Sequence, residues 1–216
     1  MSMDFVIALS GPDAALSVCL PAMDDALLGL GFVLGSTVAN ACLDSARDVF
    51  DETEIELHGV QHLSQVRRQV SAWSGVALEY RRSDVGTLYV LVGRTVGEHL
   101  CVWVEIGERT FREAFRSSRQ KEIYKAIDAV SSACGAVIGL GDLEQERRPQ
   151  TASQLVDRLV RDGLVETVPP SRLYICRREV VERENLSLWT RADNTVYQAQ
   201  YFCFLETMQF KGFWSR

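Results

Sequence analysis

Three strand-like runs follow one another between residues 76 and 106, and no other feature of the sequence constrains the fold as strongly. Val76, Leu78 and Tyr80 alternate with other residues in the first run, 88–92 is continuously apolar, and 100–106 alternates again. Alternation is typical of a strand with one buried face, and an unbroken apolar run of a strand covered on both faces. Because glycines lie near the breaks, the sequence predicts an antiparallel meander.

Helical patterns lie on both sides of this meander. Residues 63–73 carry apolar side chains at helical spacing, and so do residues 123–137. Residues 4–10 are predicted as a first strand, and Pro21 as the start of a helix that ends near Gly29. The resulting order favours an α+β fold with two layers, in which helices pack on one face of a mostly antiparallel sheet.

The C-terminal part begins after a polar stretch, and residues 147–150 are the best candidate linker. Thr151 and Gln154 form a capping box that predicts a helix. Residues 186–189 and 195–205 are predicted to form a hairpin. About 65 residues make a marginal core alone, so we expect a single domain over 1–216, with a subdomain boundary near 147–150 at most.

The composition is that of a soluble globular chain, with 47% apolar and 24% charged residues. Six cysteines without a C-x-x-C spacing indicate free thiols and a cytoplasmic protein. Twenty arginines against three lysines suggest a bacterial genome. The N-terminus has no basic region, so we expect no secretory signal. Residues 26–43 carry no charge but include several glycines and polar residues, and we expect no membrane span there.

The familiar catalytic signatures do not occur. The glycines of residues 29–35 miss the dinucleotide-binding spacing, and neither a phosphate-binding loop nor G-x-S-x-G is present. His58 and His62 are predicted on different elements, which disfavours a shared metal ion. His99 and Cys101 lie about 7 Å apart along one strand, too far for direct proton transfer. We therefore predict no catalytic residues, no metal and no cofactor.

The strongest charge feature is an acidic segment at residues 44–56. It has a net charge of −5, whereas the whole chain has −6. Dense acidic charge attracts basic proteins and raises their association rate, although such a run is also typical of a solvated loop. The predicted partner-binding residues are its six carboxylates: Asp44, Asp48, Asp51, Glu52, Glu54 and Glu56.

Residues 153–166 resemble the recognition helix and first wing strand of winged-helix regulators. That resemblance implies insertion of the helix into the DNA major groove, with phosphate contacts from nearby arginines. These would be Arg158, Arg161, Arg172, Arg177 and Arg178. The acidic balance of the chain, together with Asp157 and Asp162 on the same helix, disfavours nucleic acid as a partner.

Taken together, these features predict a cytoplasmic protein-binding module. The size, the missing catalytic signatures and the acidic segment fit a bacterial inhibitor of the immunity or antitoxin type, which would block a basic partner protein. An enzyme with an unrecognised active site is the alternative, and a winged-helix-like DNA-binding protein is the third possibility.

Overall fold

A computed structural model describes residues 4–10, 16–44, 49–56, 63, 75–94, 100–143, 151–164, 170–183 and 195–216. Within these ranges ten strands form one sheet in which every pairing is antiparallel. The strands are β1 (Asp4–Ser10), β2 (Val33–Asp44), β3 (Val49–Glu56), β4 (Gly75–Arg82), β5 (Gly86–Arg94), β6 (Leu100–Gly107), β7 (Ile138–Leu143), β8 (Leu173–Arg177), β9 (Thr195–Gln198) and β10 (Phe202–Glu206). Their order across the sheet is β3-β2-β4-β5-β6-β1-β7-β8-β10-β9.

The predicted meander is confirmed. β4, β5 and β6 are consecutive neighbours, and their register places Val76 opposite Val92 and Leu91 opposite Trp103. Leu88, Val90 and Val92 are fully buried on one face of β5, and Leu91 is fully buried on the other. This two-sided burial explains the unbroken apolar run, since both faces of the central strand are covered.

Six helices accompany the sheet in the part of the chain that the structure describes. They are α1 (Leu16–Gly29), α2 (Glu108–Arg116), α3 (Gln120–Ala133), α4 (Ala152–Leu164), α5 (Arg178–Arg183) and α6 (Met208–Trp214). The predicted α+β class, with its antiparallel sheet, is thereby confirmed.

The helices lie on both faces of the sheet, whereas the sequence predicted one. α1, α2, α3 and α6 share a core with Ile175 of β8, while α4 packs Leu155 and Leu159 against the neighbouring strand residues Tyr174 and Cys176. Successive strand residues point to opposite faces, so α4 covers the second face. The physical reason is that β7 and β8 are apolar on both sides and their second face needs its own cover.

An aromatic cluster holds the first strand to the last helix. The rings of Phe5 and Phe111 stack with centroids 4.3 Å apart, and Trp214 meets both edge-on at 5.2 and 4.7 Å. Gly141 lies directly beneath, where an added Cβ would come within 2.6 Å of the Phe5 ring. Glycine at this strand position is therefore required by the close approach of the ring.

α1 begins at Leu16, five residues before the predicted start at Pro21. Leu16, Cys19 and Leu20 are buried in the main core. Burial of such side chains contributes about 1.5–3 kcal/mol each, which offsets the roughly 3 kcal/mol that an internal proline costs. The uncharged stretch of residues 26–43 is divided between the end of α1 and β2. None of the helices in the described ranges is long and apolar enough to cross a membrane.

The predicted C-terminal hairpin has a different turn. Residues 195–205 were expected to form one strand, but they form β9 and β10 with a turn at 199–201. The turn contains no glycine or proline, and the Asp128 carboxylate of α3 accepts hydrogen bonds from the amides of Tyr201 and Phe202. β10 and β9 extend the main sheet beyond β8, while residues 186–189, which were expected to pair with 195–205, lie outside the described residues.

The sheet passes from β1 to β7 and on to β8, so residues on both sides of 147–150 contribute to one core. We predict that a fragment ending at residue 148 is insoluble or unfolded, because it would lose the strands and the aromatic helix that cover β7 and β1. Solubility and circular dichroism of fragment 1–148 test this. A stable, cooperatively unfolding fragment would show two independent domains.

Among the cysteines whose side chains the structure describes, five are buried thiols: Cys19, Cys101, Cys134, Cys176 and Cys203. We predict that a thiol reagent titrates six thiols per chain in unreduced protein after denaturation, and that these five react slowly in the folded protein because the reagent cannot reach them. Fewer than six thiols after denaturation would contradict free thiols.

Candidate functional site

The acidic segment lies mainly on the edge of the sheet. Among the described residues β3 is the last strand in the sheet order, and it pairs with β2 from Asp44 opposite Val49 to Glu56 opposite Thr37. A large part of the segment is therefore extended strand rather than loop. β2 is anchored behind it through the buried residues Val38, Ala39 and Ala41.

The structure places five of the six predicted residues in this β2–β3 hairpin. Asp48 lies outside the described residues. The register pairs are Asp44 with Val49, Asp51 with Cys42, Glu52 with Ala41, Glu54 with Ala39, and Glu56 with Thr37. The hairpin thus brings together residues that the sequence identified only as a charge run.

An edge strand offers backbone groups as well as side chains. In an antiparallel pair, alternate N–H and C=O groups of β3 point away from β2, which is the template that a further strand needs. β3 also carries four carboxylates, Asp51, Glu52, Glu54 and Glu56, and no cationic residue. The combination can recruit a basic extended segment by both charge and backbone pairing.

The residues considered for catalysis and metal binding lie largely outside the described ranges. His58, His62 and His99 all lie outside them, and Cys101 is buried on β6. No group of three or more histidine, cysteine or acidic residues in the described part of the chain could hold a metal ion.

Three buried acidic residues, which the sequence analysis did not identify, accept hydrogen bonds from other parts of the chain. The Asp24 carboxylate accepts hydrogen bonds from the Tyr80 hydroxyl at 2.8 Å and from the Leu63 amide at 2.9 Å. The Glu206 carboxylate accepts one from the Tyr124 hydroxyl at 2.6 Å. Burial raises the pKa of Glu206, and the donated hydrogen bond from Tyr124 opposes that rise. No sequence signal marks these partners, which lie 39 to 82 residues apart.

The third buried acid, Asp128, stands beside an open groove of about 710 Å³. The groove runs between α1, α3 and the β9–β10 turn. Desolvation raises the pKa of Asp128, against the lowering effect of the amide hydrogen bonds that it accepts. The residues that form this groove come from three distant segments, so no local pattern predicts it.

Three of the arginines expected from the winged-helix resemblance make contacts within the chain. Arg172 pairs with Asp142 at 3.1 Å, Arg177 donates to the carbonyl of Ala136, and Arg178 donates to that of Ala199. The helix that the resemblance compares with a recognition helix, α4, packs on the ten-stranded sheet. These contacts give the DNA-binding interpretation no further support.

Comparison with known proteins identifies no family. No protein-family model matches the chain, and no curated protein does. Among solved structures, the chain is similar to the Pseudomonas aeruginosa T6SS protein PA0821, with a TM-score of 0.48 and 7% identity. The match covers 95% of this chain and 64% of that one, so this chain spans just under two thirds of its length.

The buried Tyr124–Glu206 pair makes a testable contribution to stability. We predict that Tyr124→Phe lowers the free energy of unfolding by about 1–3 kcal/mol, because the buried Glu206 carboxylate loses its short hydrogen bond and keeps the Lys211 ammonium at 3.6 Å. The loss of stability should be largest at neutral pH, where the Glu206 carboxylate is ionised, and smaller in acid, where it is protonated. The reason is that removing the Tyr124 hydroxyl raises the pKa of Glu206 further and therefore destabilises its ionised form. Urea unfolding at several pH values measures this, and a pH-independent loss would contradict it.

Proposed function

We propose that this protein is a protein-binding module that takes a basic partner on the edge strand β3. The observation that carries the proposal is that β3, the outermost strand among the described residues, contains four acidic residues and no cationic one. Acidic charge at a sheet edge attracts a basic partner before contact, and the outward backbone groups can then fix the orientation of that partner.

The two contributions act at different distances. Carboxylates steer an approaching basic surface over about a Debye length, roughly 8 Å at physiological salt. Backbone hydrogen bonds act only at contact, and they require an extended partner segment or a flat complementary edge. A partner with a basic, exposed cleft or strand satisfies both requirements.

Within this proposal, the protein acts as an inhibitor of the bacterial immunity or antitoxin type. Its mechanism is steric: β3 and its neighbourhood cover a basic active site, and no reaction is catalysed. Inhibition then depends on the lifetime of the complex, whereas the acidic residues mainly set the rate at which it forms.

Affinity capture with matched variants tests the proposal. The edge variant reverses Asp51, Glu52, Glu54 and Glu56 to lysine. The control makes the same change in net charge at exposed acids away from β3, in Asp25, Glu113, Asp157 and Glu179. We expect the native cell extract to yield a basic protein on the wild type and the control, but not on the edge variant. Capture of the same proteins by all three would contradict the proposal.

The association rate of the captured partner gives the sharper prediction. At low salt we expect the edge variant to associate at least about tenfold more slowly than the wild type, and the difference to shrink as salt screens the charges. Stopped-flow kinetics over a salt series measure it, with thermal unfolding as the check on folding. An unchanged low-salt rate would exclude β3 as the steering surface. Loss of a catalytic activity with normal binding would favour the enzyme alternative.

A further inference from the structure

Two cysteines face each other across neighbouring strands of the sheet. Cys176 of β8 and Cys203 of β10 are directly opposite in the antiparallel register. Both side chains belong to the same buried cluster, so both thiols lie on the face of the sheet that α4 covers. Neither strand is part of the β2–β3 hairpin, so the pair stands apart from the function proposed above.

The backbone around this pair fixes its spacing. The Arg177 amide donates to the carbonyl of Val137, on the side of β7. Because backbone groups alternate between the two sides of a strand, the amide and carbonyl of Cys176 point toward β10, and the two cysteines form a hydrogen-bonded pair. The Cα atoms of such a pair lie about 5.5 Å apart. Disulfides usually join Cα atoms about 4.4–6.8 Å apart, so the strand pairing brings the two sulfurs within bonding reach.

In the closed fold both thiols are protected from reaction. Cys176 is fully buried, and Cys203 is 3% exposed. Burial raises the pKa of Cys176, and the neighbouring Cys203 raises it further, so the closed fold holds little of the reactive thiolate. A reaction with a dissolved reagent therefore requires local opening of the structure over the two thiols.

The cover over these thiols has few buried side chains. Leu155 and Leu159 are the fully buried side chains of α4 among those that the structure describes, and α5 adds Val180. β10 is held to β8 by four residue pairs. Elements with few buried contacts open locally at a smaller free-energy cost than the whole protein unfolds. Opening of α4 or of the β9–β10 hairpin would expose the two thiols together.

We propose that Cys176 and Cys203 are a modification site, at which a small disulfide oxidant such as oxidised glutathione forms a reversible cross-strand disulfide. The Cys203 thiolate, the more exposed of the two, attacks one glutathione sulfur, and one glutathione thiolate leaves. The Cys176 thiolate then attacks the Cys203 sulfur of this mixed disulfide and releases the second glutathione. Two electrons pass from the protein sulfurs to the oxidant, and the two thiol protons end on the two glutathione molecules.

The new bond changes how the C-terminal part of the sheet opens. It ties β8 to β10 and closes a loop that contains α5, β9 and the turn held by Asp128. β10 can then no longer separate from β8, so the β9–β10 hairpin stays closed in the oxidised protein.

A second thiol pair provides the comparison. The thiols of Cys19 on α1 and Cys134, directly after α3, interact with each other in the main core. Both residues are at most 1% exposed. Because the main core closes over them with many more buried side chains, we expect this pair to stay reduced in the folded protein.

The experiment exposes folded, fully reduced protein to oxidised glutathione until the thiol count no longer changes, and then alkylates the remaining thiols in denaturant. Peptide mapping by mass spectrometry should find Cys176 joined to Cys203, and dithiothreitol should restore all six thiols. Hydrogen exchange at the amides of β10 should slow at least about tenfold in the oxidised protein, because opening of the hairpin is blocked.

Two variants separate the strand pair from the core pair. Cys203→Ala should prevent the disulfide and remove its effect on hydrogen exchange. Cys134→Ala makes the same change in the other thiol pair, and as the matched control it should leave both results unchanged. Thermal unfolding shows whether each reduced variant is folded, and the wild-type peptide map decides the proposal where one is not.

Three results would overturn the proposal: no disulfide between Cys176 and Cys203 in the oxidised wild type, a disulfide between Cys19 and Cys134 in its place, or unchanged hydrogen exchange of β10 after oxidation. The β3 edge variant should form the disulfide as the wild type does. Failure of the edge proposal and failure of the disulfide proposal are therefore distinguishable.

Discussion

β1 pairs with β6 along one side and with β7 along the other, so the first described strand lies inside the sheet. Its residues are buried on both faces, with Phe5 and Ile7 in the main core and Val6 and Ala8 on the second face. β1 therefore connects β7, β8, β10 and β9 to the meander formed by β4, β5 and β6. The continuous sheet, the aromatic cluster and the separation of the two sheet ends all depend on this placement.

The elements with strong periodic patterns could be predicted from the sequence, because their buried faces match the spacing of their apolar residues. β4 to β6 and α3 are of this kind. β7 was not predicted: Ile138–Leu143 contains Gly139 and Gly141, which give a weak strand pattern. Added Cβ atoms there would lie 2.5 and 2.6 Å from Leu9 and Phe5, so the glycines are explained only by contacts with a strand more than a hundred residues away.

The two candidate surfaces differ in how far the sequence reveals them. The charge run at 44–56 could be counted directly, but its position at an edge follows from the pairing of β2 with both β3 and β4. The groove requires α1, α3 and the β9–β10 turn to meet. Its turn contains no ordinary turn residues and depends on Asp128, so local propensity could not predict it.

The central position of β1 also bears on how the chain acquires its structure. Asp4 pairs with Gly107 and Phe5 with Leu143, so this strand forms neither of its ladders until segments about a hundred or more residues away have been made. Closing such long loops costs entropy before strand pairing offsets that cost. Topologies of this type therefore fold slowly, in milliseconds to seconds. During that interval the apolar strands β1 and β7 are unpaired, so this is the period in which the protein is most exposed to aggregation.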